Sequence, residues 1–360
     1  MRPKEYRIKE LLRKKGLDGA IVSSPENFHY VTGFGGHQHT VSRQPGFTLA
    51  VMRADDKVPT HLTTMDFEAA IFPSGAEGLN FVVDPYDTWV GLKTWDEIAH
   101  GAVVPDKTAM ESSMDKLVQF MKACDLANKK VGVELDYLPV PYYKSLTEKF
   151  PEAEFVDISD LFVYARSVKQ PDEIEMFRNL CRIADHGFTE VSKIAKIGVS
   201  ERELAQCFRE DVIKSGFCAP SAWSMFSTGP SSARLTLPGD GVVKDGDVVK
   251  FDAGVNAEFD FYTTDTSRAW IIGNGDPVLL KLKDRLYEGQ RRMIAAAKPG
   301  LPINELYHTA YDYVKEMFPC YRRGHQGHSI SMGPATAETP YINASETRPL
   351  EAGMILAMEV

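Results

Sequence analysis

The sequence contains few cysteines, and the five that occur are scattered along 360 residues without a close pairing motif. An odd number of cysteines without Cys-x-x-Cys spacing is not typical of a disulfide framework or of a zinc site built from thiolates. Free cysteines are usual where the surroundings are reducing, so this pattern favours the cytoplasm. They are Cys124, Cys181, Cys207, Cys218 and Cys320.

Long apolar runs are also missing. No stretch approaches the ~18 apolar residues that a membrane span needs, and the N-terminus has no uninterrupted apolar core like that of a signal peptide. The formal net charge of −9 argues against a nucleic-acid surface, which requires clustered lysine and arginine. We therefore expect a cytoplasmic protein that binds neither membranes nor nucleic acids.

The order of the predicted elements indicates two domains, since 360 residues exceed what one hydrophobic core usually serves. Up to about residue 160, short apolar strands alternate with helices, which predicts a small α/β domain. After Pro171, long amphipathic helices flank a strand-rich segment, which predicts an α+β domain. We expect domains at 1–160 and 161–360. The N-terminal strands are predicted at 19–22, 47–52, 81–83 and 131–134, with helices near 113–127 and 141–149.

Two predicted strands carry acidic residues in apolar surroundings. Asp252 ends an apolar strand that begins near Val248, and Asp265 lies among threonines in a strand predicted at 259–270. A charge in such a strand is costly unless it is paired or bound to a metal. An exposed edge position, or an ion pair with Arg268, would also accommodate Asp265.

Two further segments supply a histidine and an acid. His328 lies in a run of glycines and histidines that also contains His325, and Glu359 ends the last apolar strand. A single histidine in such a turn is often only structural. Several carboxylates with one neutral imidazole form a hard, oxygen-rich site, which suits one or two ions of Mn, Co, Fe or Zn.

Taken in this order, the segments resemble the pita-bread family of Xaa-Pro dipeptidase (prolidase), aminopeptidase P, methionine aminopeptidase and creatinase. The resemblance covers nearly the whole chain. It implies an α/β fold class, with a small creatinase-type N-terminal α/β domain followed by an α+β pita-bread catalytic domain. The matching segments are 7–18, 25–34, 166–174, 244–254, 262–268, 327–330 and 350–359.

The resemblance also implies a function. Asp252 would bind one metal ion, Asp265 would bridge two, and His328 and Glu359 would hold the second. A metal-activated water would then cleave a short peptide with proline in second position. Family resemblance further implies a homodimer, in which residues 33–44 form a lid loop over the partner's active site.

The chain departs from the family pattern at several places. Asp252 and Asp265 are 13 residues apart, two more than is usual, so a bulge must absorb the excess or Asp252 points away. Two family histidines are absent, from segment 233–238 and from position 337. His325 and Glu338 are candidate catalytic replacements, although a turn histidine and a surface acid are the structural alternatives. The sequence ends at Val360, before a further glutamate ligand of the family, so we expect a longer natural protein.

Two other functions remain open at this stage. One is a creatinase-like hydrolase that acts on a small C–N compound without a metal. The other is a catalytically inactive pita-bread module that binds a partner. Metal content distinguishes both from a metal-dependent peptidase.

Overall fold

The structure is a computed structural model that describes residues 3–69, 80–88, 99–100, 112–216, 218–258, 260–333 and 337–360. The chain divides into two compact units, Met1–Ala165 and Arg166–Val360. The predicted fold class is confirmed, because the first unit is α/β and the second combines long helices with antiparallel strands. Within the described part of the chain, no helix combines the length and hydropathy that a bilayer crossing requires.

The N-terminal unit is built on a six-stranded sheet of order β4-β3-β2-β1-β5-β6. Its central strand β1 runs parallel to β5 and antiparallel to β2. The strands are β1 (Gly19–Val22), β2 (Leu49–Arg53), β3 (Thr60–Thr63), β4 (Phe81–Val83), β5 (Lys130–Val133) and β6 (Glu154–Asp157). The helices are α1 (Pro3–Lys14), α2 (Pro25–Thr32), α3 (His37–Thr40), α4 (Ser113–Ala123), α5 (Val140–Lys149) and α6 (Ser159–Ser167).

The core of this unit lies between the sheet and helices α4 and α5. Every residue of β1 and β2 is buried, as expected for short apolar runs covered on both faces. Ile21, Val51, Phe120 and Leu146 belong to one buried cluster. The sequence signal for strand β1 is therefore a continuous apolar run rather than an alternation of apolar and polar residues.

The segment predicted as a lid loop is anchored inside the N-terminal unit by His39. Its side chain is fully buried in helix α3, and its Nε2–H donates to the carbonyl oxygen of Ser23 at 2.8 Å. The imidazole makes edge contacts with the rings of Phe28 and Tyr137. Burial lowers the pKa of His39 to about 4, so the ring is neutral at pH 7.

The C-terminal unit combines four described helices with three small sheets. The sheet orders are β10-β7, β11-β9-β8 and β13-β12-β14. The helices are α7 (Pro171–Ile194), α8 (Glu201–Lys214), α9 (Pro277–Ala296) and α10 (Ile303–Met317). The strands are β7 (Cys218–Pro220), β8 (Met225–Thr228), β9 (Val248–Ala253), β10 (Val255–Ala257), β11 (Thr266–Ile271), β12 (Gly327–Ser329), β13 (Glu338–Tyr341) and β14 (Leu356–Met358).

Helix α7 packs against the sheet that carries the first acidic residue of the site. Pro171 opens the helix, and the Glu173 side chain accepts a hydrogen bond from the backbone N–H of Gln170 at 2.8 Å. Phe188 lies on the buried face of α7, and its ring stacks on that of Phe251 in β9, with ring centroids 6.3 Å apart. This aromatic layer fixes β9, and with it the strand position of Asp252.

Candidate metal centre

Strands β9 and β11 bring two of the predicted ligands near each other. They pair antiparallel, with Asp252 opposite Ser267. Asp265 directly precedes β11, and its charge is one of those that raise the Asp252 pKa. The strand predicted at 259–270 is shorter than expected, because the sheet strand begins only at Thr266.

The long spacing between these acids is taken up by a second, smaller hairpin. Val255 and Thr264 are joined by a backbone hydrogen bond of 3.0 Å, and Ala257 N–H donates to the Tyr262 carbonyl at 2.8 Å. A Cβ on Gly254 would overlap the carbonyl oxygen of Thr264, so glycine is needed where the hairpin begins. The excess residues are thus taken up within this second hairpin, and Asp252 lies outside the group of potential ligand atoms formed by Asp265, His328 and Glu359.

Strand β12 places His328 beside the last acid of the chain. His328 lies opposite Ala357 of β14, and the Glu359 N–H donates to the Gln326 carbonyl at 3.0 Å. Gly327 has a φ of 120°, and a Cβ there would overlap the Ala357 carbonyl oxygen. Only glycine permits this close approach of the two strands.

Asp265, His328 and Glu359 converge on one point. The His328 Nε2 atom lies 3.3 Å from Asp265 Oδ2 and 3.3 Å from Glu359 Oε1. One potential ligand atom from each residue lies within 4.8 Å of the others. Ligand atoms about 2.1 Å from a common ion are separated by roughly 3.0–3.4 Å, so this spacing fits a divalent metal.

The imidazole of His328 is oriented for metal binding. Its Nδ1 lies 2.9 Å from the Ser329 carbonyl oxygen, which can only accept, so Nδ1 carries the proton and donates. In the neutral ring, the Nε2 lone pair then faces the two carboxylates. Such a hydrogen bond on the far nitrogen is the usual support of a metal-binding histidine.

The charges of the cluster shift its pKa values in a consistent way. Burial alone lowers the pKa of His328, but hydrogen bonds to Asp265 and Glu359 outweigh it and raise the pKa to about 10. Burial, and then the charges of Asp265 and Glu359, raise the pKa of Asp252 to about 6. Three carboxylates therefore share one electrostatic environment that favours a cation between them.

Two protein cations that the sequence analysis missed border this environment. The Arg323 guanidinium is hydrogen-bonded to Glu359 Oε2 through Nη2, and its Nε–H donates to the His325 carbonyl at 2.9 Å. Lys250 lies two residues before Asp252 in β9, and the charges of Lys250 and Arg323 both lower the Asp252 pKa. Side chains two residues apart in a strand share a face, so the sequence could have placed Lys250 beside Asp252. The position of Arg323 could not be predicted in this way, because Arg323 lies in an irregular turn.

The predicted catalytic residue His325 lies beside the cluster. Its ring centroid is 6.2 Å from that of His328 and 5.4 Å from that of Tyr341. Its Nδ1 accepts a hydrogen bond from the Gly327 N–H at 3.2 Å. Burial and the charge of Arg323 lower the pKa of His325, which keeps the ring neutral.

Two of the structural alternatives for the acids are wrong. Glu338 is not a surface acid, since its side chain is 10% exposed and forms an ion pair of 2.6 Å with Arg166. Its Oε2 atom is buried without a hydrogen-bond partner among the described residues. Arg268 pairs with Asp185 at 2.7 Å, so it does not neutralise Asp265.

Comparison with known proteins identifies the class to which this site belongs. The model of metallopeptidase family M24 matches residues 175–360, and that of the creatinase/prolidase N-terminal domain matches residues 6–168. The chain is therefore a peptidase-type hydrolase with a metallopeptidase catalytic domain. It belongs to metallopeptidase family M24, and the resemblance drawn from the sequence is confirmed.

Relatives of known sequence and structure span most of the chain. An uncharacterized peptidase of Bacillus subtilis (strain 168), YqhT, is 24% identical over 98% of this chain and 88% of its own length. The Xaa-Pro dipeptidase of Pyrococcus furiosus is 28% identical over 70% of this chain and 73% of its own length.

Solved structures show the same fold. The Xaa-Pro dipeptidase from Bacillus anthracis has a TM-score of 0.77 at 22% identity, over 98% of this chain and 88% of that one. The N-terminal domain of the FACT complex subunit SPT16 from chickpea has a TM-score of 0.71 at 16% identity, over 99% of this chain and 86% of that one. The fold thus occurs both in dipeptidases and in a subunit of a larger complex.

Proposed function

We propose that this protein is a metal-dependent peptidase that cleaves short peptides with proline in second position. The observation that carries the proposal is the approach of His328 Nε2 to two carboxylates, each at 3.3 Å and each from a different segment. The substrate class is supported by the Xaa-Pro dipeptidase among its relatives.

The residues present fit a divalent ion of Mn, Co, Fe or Zn. Asp265, His328 and Glu359 would hold it, and Asp252 would lie outside these three ligands but within reach of their charges. A bound ion of this type supplies Lewis acidity, which polarises an amide carbonyl and lowers the pKa of a water. We propose a single tight site, because only three ligand atoms converge within 4.8 Å in the described residues.

Side chains around the cluster would orient the peptide and move its protons. Neutral His325 accepts at Nδ1 from the backbone, so its Nε2–H is the available donor for the departing nitrogen. Glu338 is held by Arg166 through Oε1, and its Oε2 is an unused acceptor for a substrate amino group. We propose that these two residues take the place of the two absent family histidines.

A binding module is the second function that a specific observation favours. The same fold occurs in the SPT16 domain of chickpea, and no histidine lies in segment 233–238 of this chain. The three-residue cluster weighs against this function, because a binding surface requires no imidazole between two acids. A creatinase-like hydrolase is also disfavoured, because a reaction that uses no metal does not require this set of metal ligands.

The cellular context and assembly are further parts of the proposal. All five cysteines are free, which supports a reducing compartment such as the cytoplasm. We propose a homodimer in which segment 33–44 lies near the partner's site. Light scattering at micromolar concentration would give the mass of two chains, and the mass of one chain would contradict this.

Metal titration tests the proposed centre directly. Calorimetry with Mn²⁺ or Zn²⁺ should give one tight equivalent. Loss of even an outer-shell partner costs ~10–100-fold in metal affinity, so Asp265→Ala and His328→Ala should each lose at least ~100-fold. Asp252→Ala should lose less, because its carboxyl group lies outside the converging set. The matched control is Asp284→Ala, whose side chain is 79% exposed.

The outcomes separate the possible functions. An equal loss in all three site variants would show that Asp252 is a full ligand. Metal binding without cleavage of any Xaa-Pro dipeptide would favour the binding module. Absence of metal binding in the wild type, together with cleavage of a small C–N compound, would favour the creatinase-like reaction.

A further inference from the structure

Helix α9 carries a stripe of exposed residues on the face opposite its buried side. The buried side contains Gly289 and Met293, and a Cβ on Gly289 would lie 3.1 Å from Val314 of α10. Exposed residues recur at positions 280, 284, 287, 291 and 294. This alternation of four and three places them on one face of the helix, and residues two apart lie on nearly opposite faces. The stripe runs along roughly 21 Å of α9.

The stripe is apolar at both ends and in the middle. Leu280, Tyr287 and Ile294 are 39%, 49% and 54% exposed. Single exposed apolar side chains are common on protein surfaces. Three of them at intervals of seven residues form a continuous seam, which is the pattern by which helices pair with each other.

Two opposite charges separate the apolar side chains of the stripe. Asp284 precedes Tyr287 by three residues, and Arg291 follows it by four. The Asp284 side chain is 79% exposed and lies 3.8 Å from the ammonium group of its neighbour Lys283, and Arg291 is also exposed. The order along the stripe is therefore apolar, acidic, aromatic, basic and apolar.

This order is self-complementary when a second copy of the helix runs antiparallel to the first. Leu280 then faces Ile294 of the second copy, and Tyr287 faces the same residue of the second copy. Asp284 faces Arg291 at two equivalent places, so both charge pairs have opposite signs. A parallel pair would instead place like charges opposite each other, which is unfavourable. The charges thus favour a contact with two-fold symmetry, the commonest kind in oligomers of one chain.

We propose that α9 forms a contact between two copies of this chain through antiparallel pairing of this stripe. The contact is additional to the proposed homodimer, since segment 33–44 contributes no residue to the stripe. A single pair of helices buries less surface than a typical stable interface, so association should require concentrations above the micromolar range.

The test is sedimentation velocity of the full chain from micromolar to submillimolar concentration. The mass of wild type should double over this range, starting from the mass present at the lowest concentration. Asp284→Arg and Arg291→Asp each place like charges opposite each other and should abolish the increase. The double variant Asp284→Arg/Arg291→Asp restores opposite charges and should recover it. Lys281→Glu is the matched control, because Lys281 is exposed on α9 to the side of the stripe, and should behave like wild type.

A mixture of the two single variants gives a second measurement. Each variant supplies the charge that the other lacks, so the mixture should associate although neither variant associates alone. Constant mass in wild type, or an undiminished increase in either single variant, would overturn the proposal. Failure of both the double variant and the mixture to associate would overturn the antiparallel pairing. The mass at the lowest concentration tests the proposed homodimer separately, and unchanged thermal unfolding shows that lost association is not lost folding.

Discussion

Acid should destabilise the N-terminal unit through one histidine, His39. Its Nε2–H donates to the Ser23 carbonyl, and its Nδ1 is buried without a hydrogen-bond partner among the described residues. Protonation would therefore place a charged N–H in the core without an acceptor. This is why burial lowers the pKa of His39 from 6.5 to about 4.

The sign and size of the effect follow from proton linkage. The folded-state pKa is below the unfolded one, so the unfolded chain binds more protons between pH 6.5 and about 4. The free energy of unfolding then falls as pH falls through this window. The full shift of about 2.5 pKa units corresponds to roughly 3.4 kcal/mol, and about 2 kcal/mol of it is lost by pH 5.

His39→Gln tests this reasoning, because glutamine keeps a donor for Ser23 but does not titrate. Hydrogen exchange of amides in β1 and β2 reports the opening free energy of this unit at pH 7 and pH 5. Wild type should lose about 2 kcal/mol more than His39→Gln over this interval. His37→Gln, at an exposed position in the same helix, should behave like wild type. Equal pH dependence in wild type and His39→Gln would refute the argument.

Further predictions concern the C-terminal unit. Burial lowers the pKa of Lys169 to about 7, so the unfolded state binds more protons than the folded state above pH 7. The free energy of unfolding should therefore rise between pH 7 and 9. Urea unfolding should show that Lys169→Met loses this rise and that the control, exposed Lys244→Met, keeps it. Glu338→Gln removes the carboxylate charge that pairs with buried Arg166 and should lower the free energy of unfolding by roughly 3 kcal/mol; a loss below about 1 kcal/mol would contradict a buried pair. Gly327→Ala should weaken Mn²⁺ binding in calorimetry at least 10-fold, because the added Cβ separates β12 from β14; unchanged affinity would contradict the close approach.

Local sequence patterns predicted the regular elements well. Helix α5 was predicted near 141–149 and spans Val140–Lys149, with a proline in its first turn. Strand β1 was predicted at 19–22 and spans Gly19–Val22. In both cases the signal lies within a few residues of the element itself.

Contacts between distant segments were not predictable in the same way. Arg166 and Glu338 are 172 residues apart in the sequence. The residues around Arg166 give no sign that Glu338 is its partner, and those around Glu338 give no sign of Arg166. The spacing of Asp252 and Asp265 left the course of the chain between them open, since a sequence gap does not show whether extra residues form a bulge or a second hairpin. Register decides which face a strand residue occupies, and register is fixed by pairing with the partner strand.

The energetics of the centre bear on whether it serves catalysis or only structure. Burial, and then the charges of Asp265 and Glu359, raise the pKa of Asp252 to about 6, so its ionised form is less stable here than in water. A core selected for stability alone would gain from an uncharged residue at this position. Repulsion between carboxylates is instead what an ion-binding site requires, because the ion recovers the electrostatic energy that the folded chain has stored. The retention of this unfavourable group beside a correctly oriented His328 therefore favours a working metallopeptidase over an inactive module of the same fold.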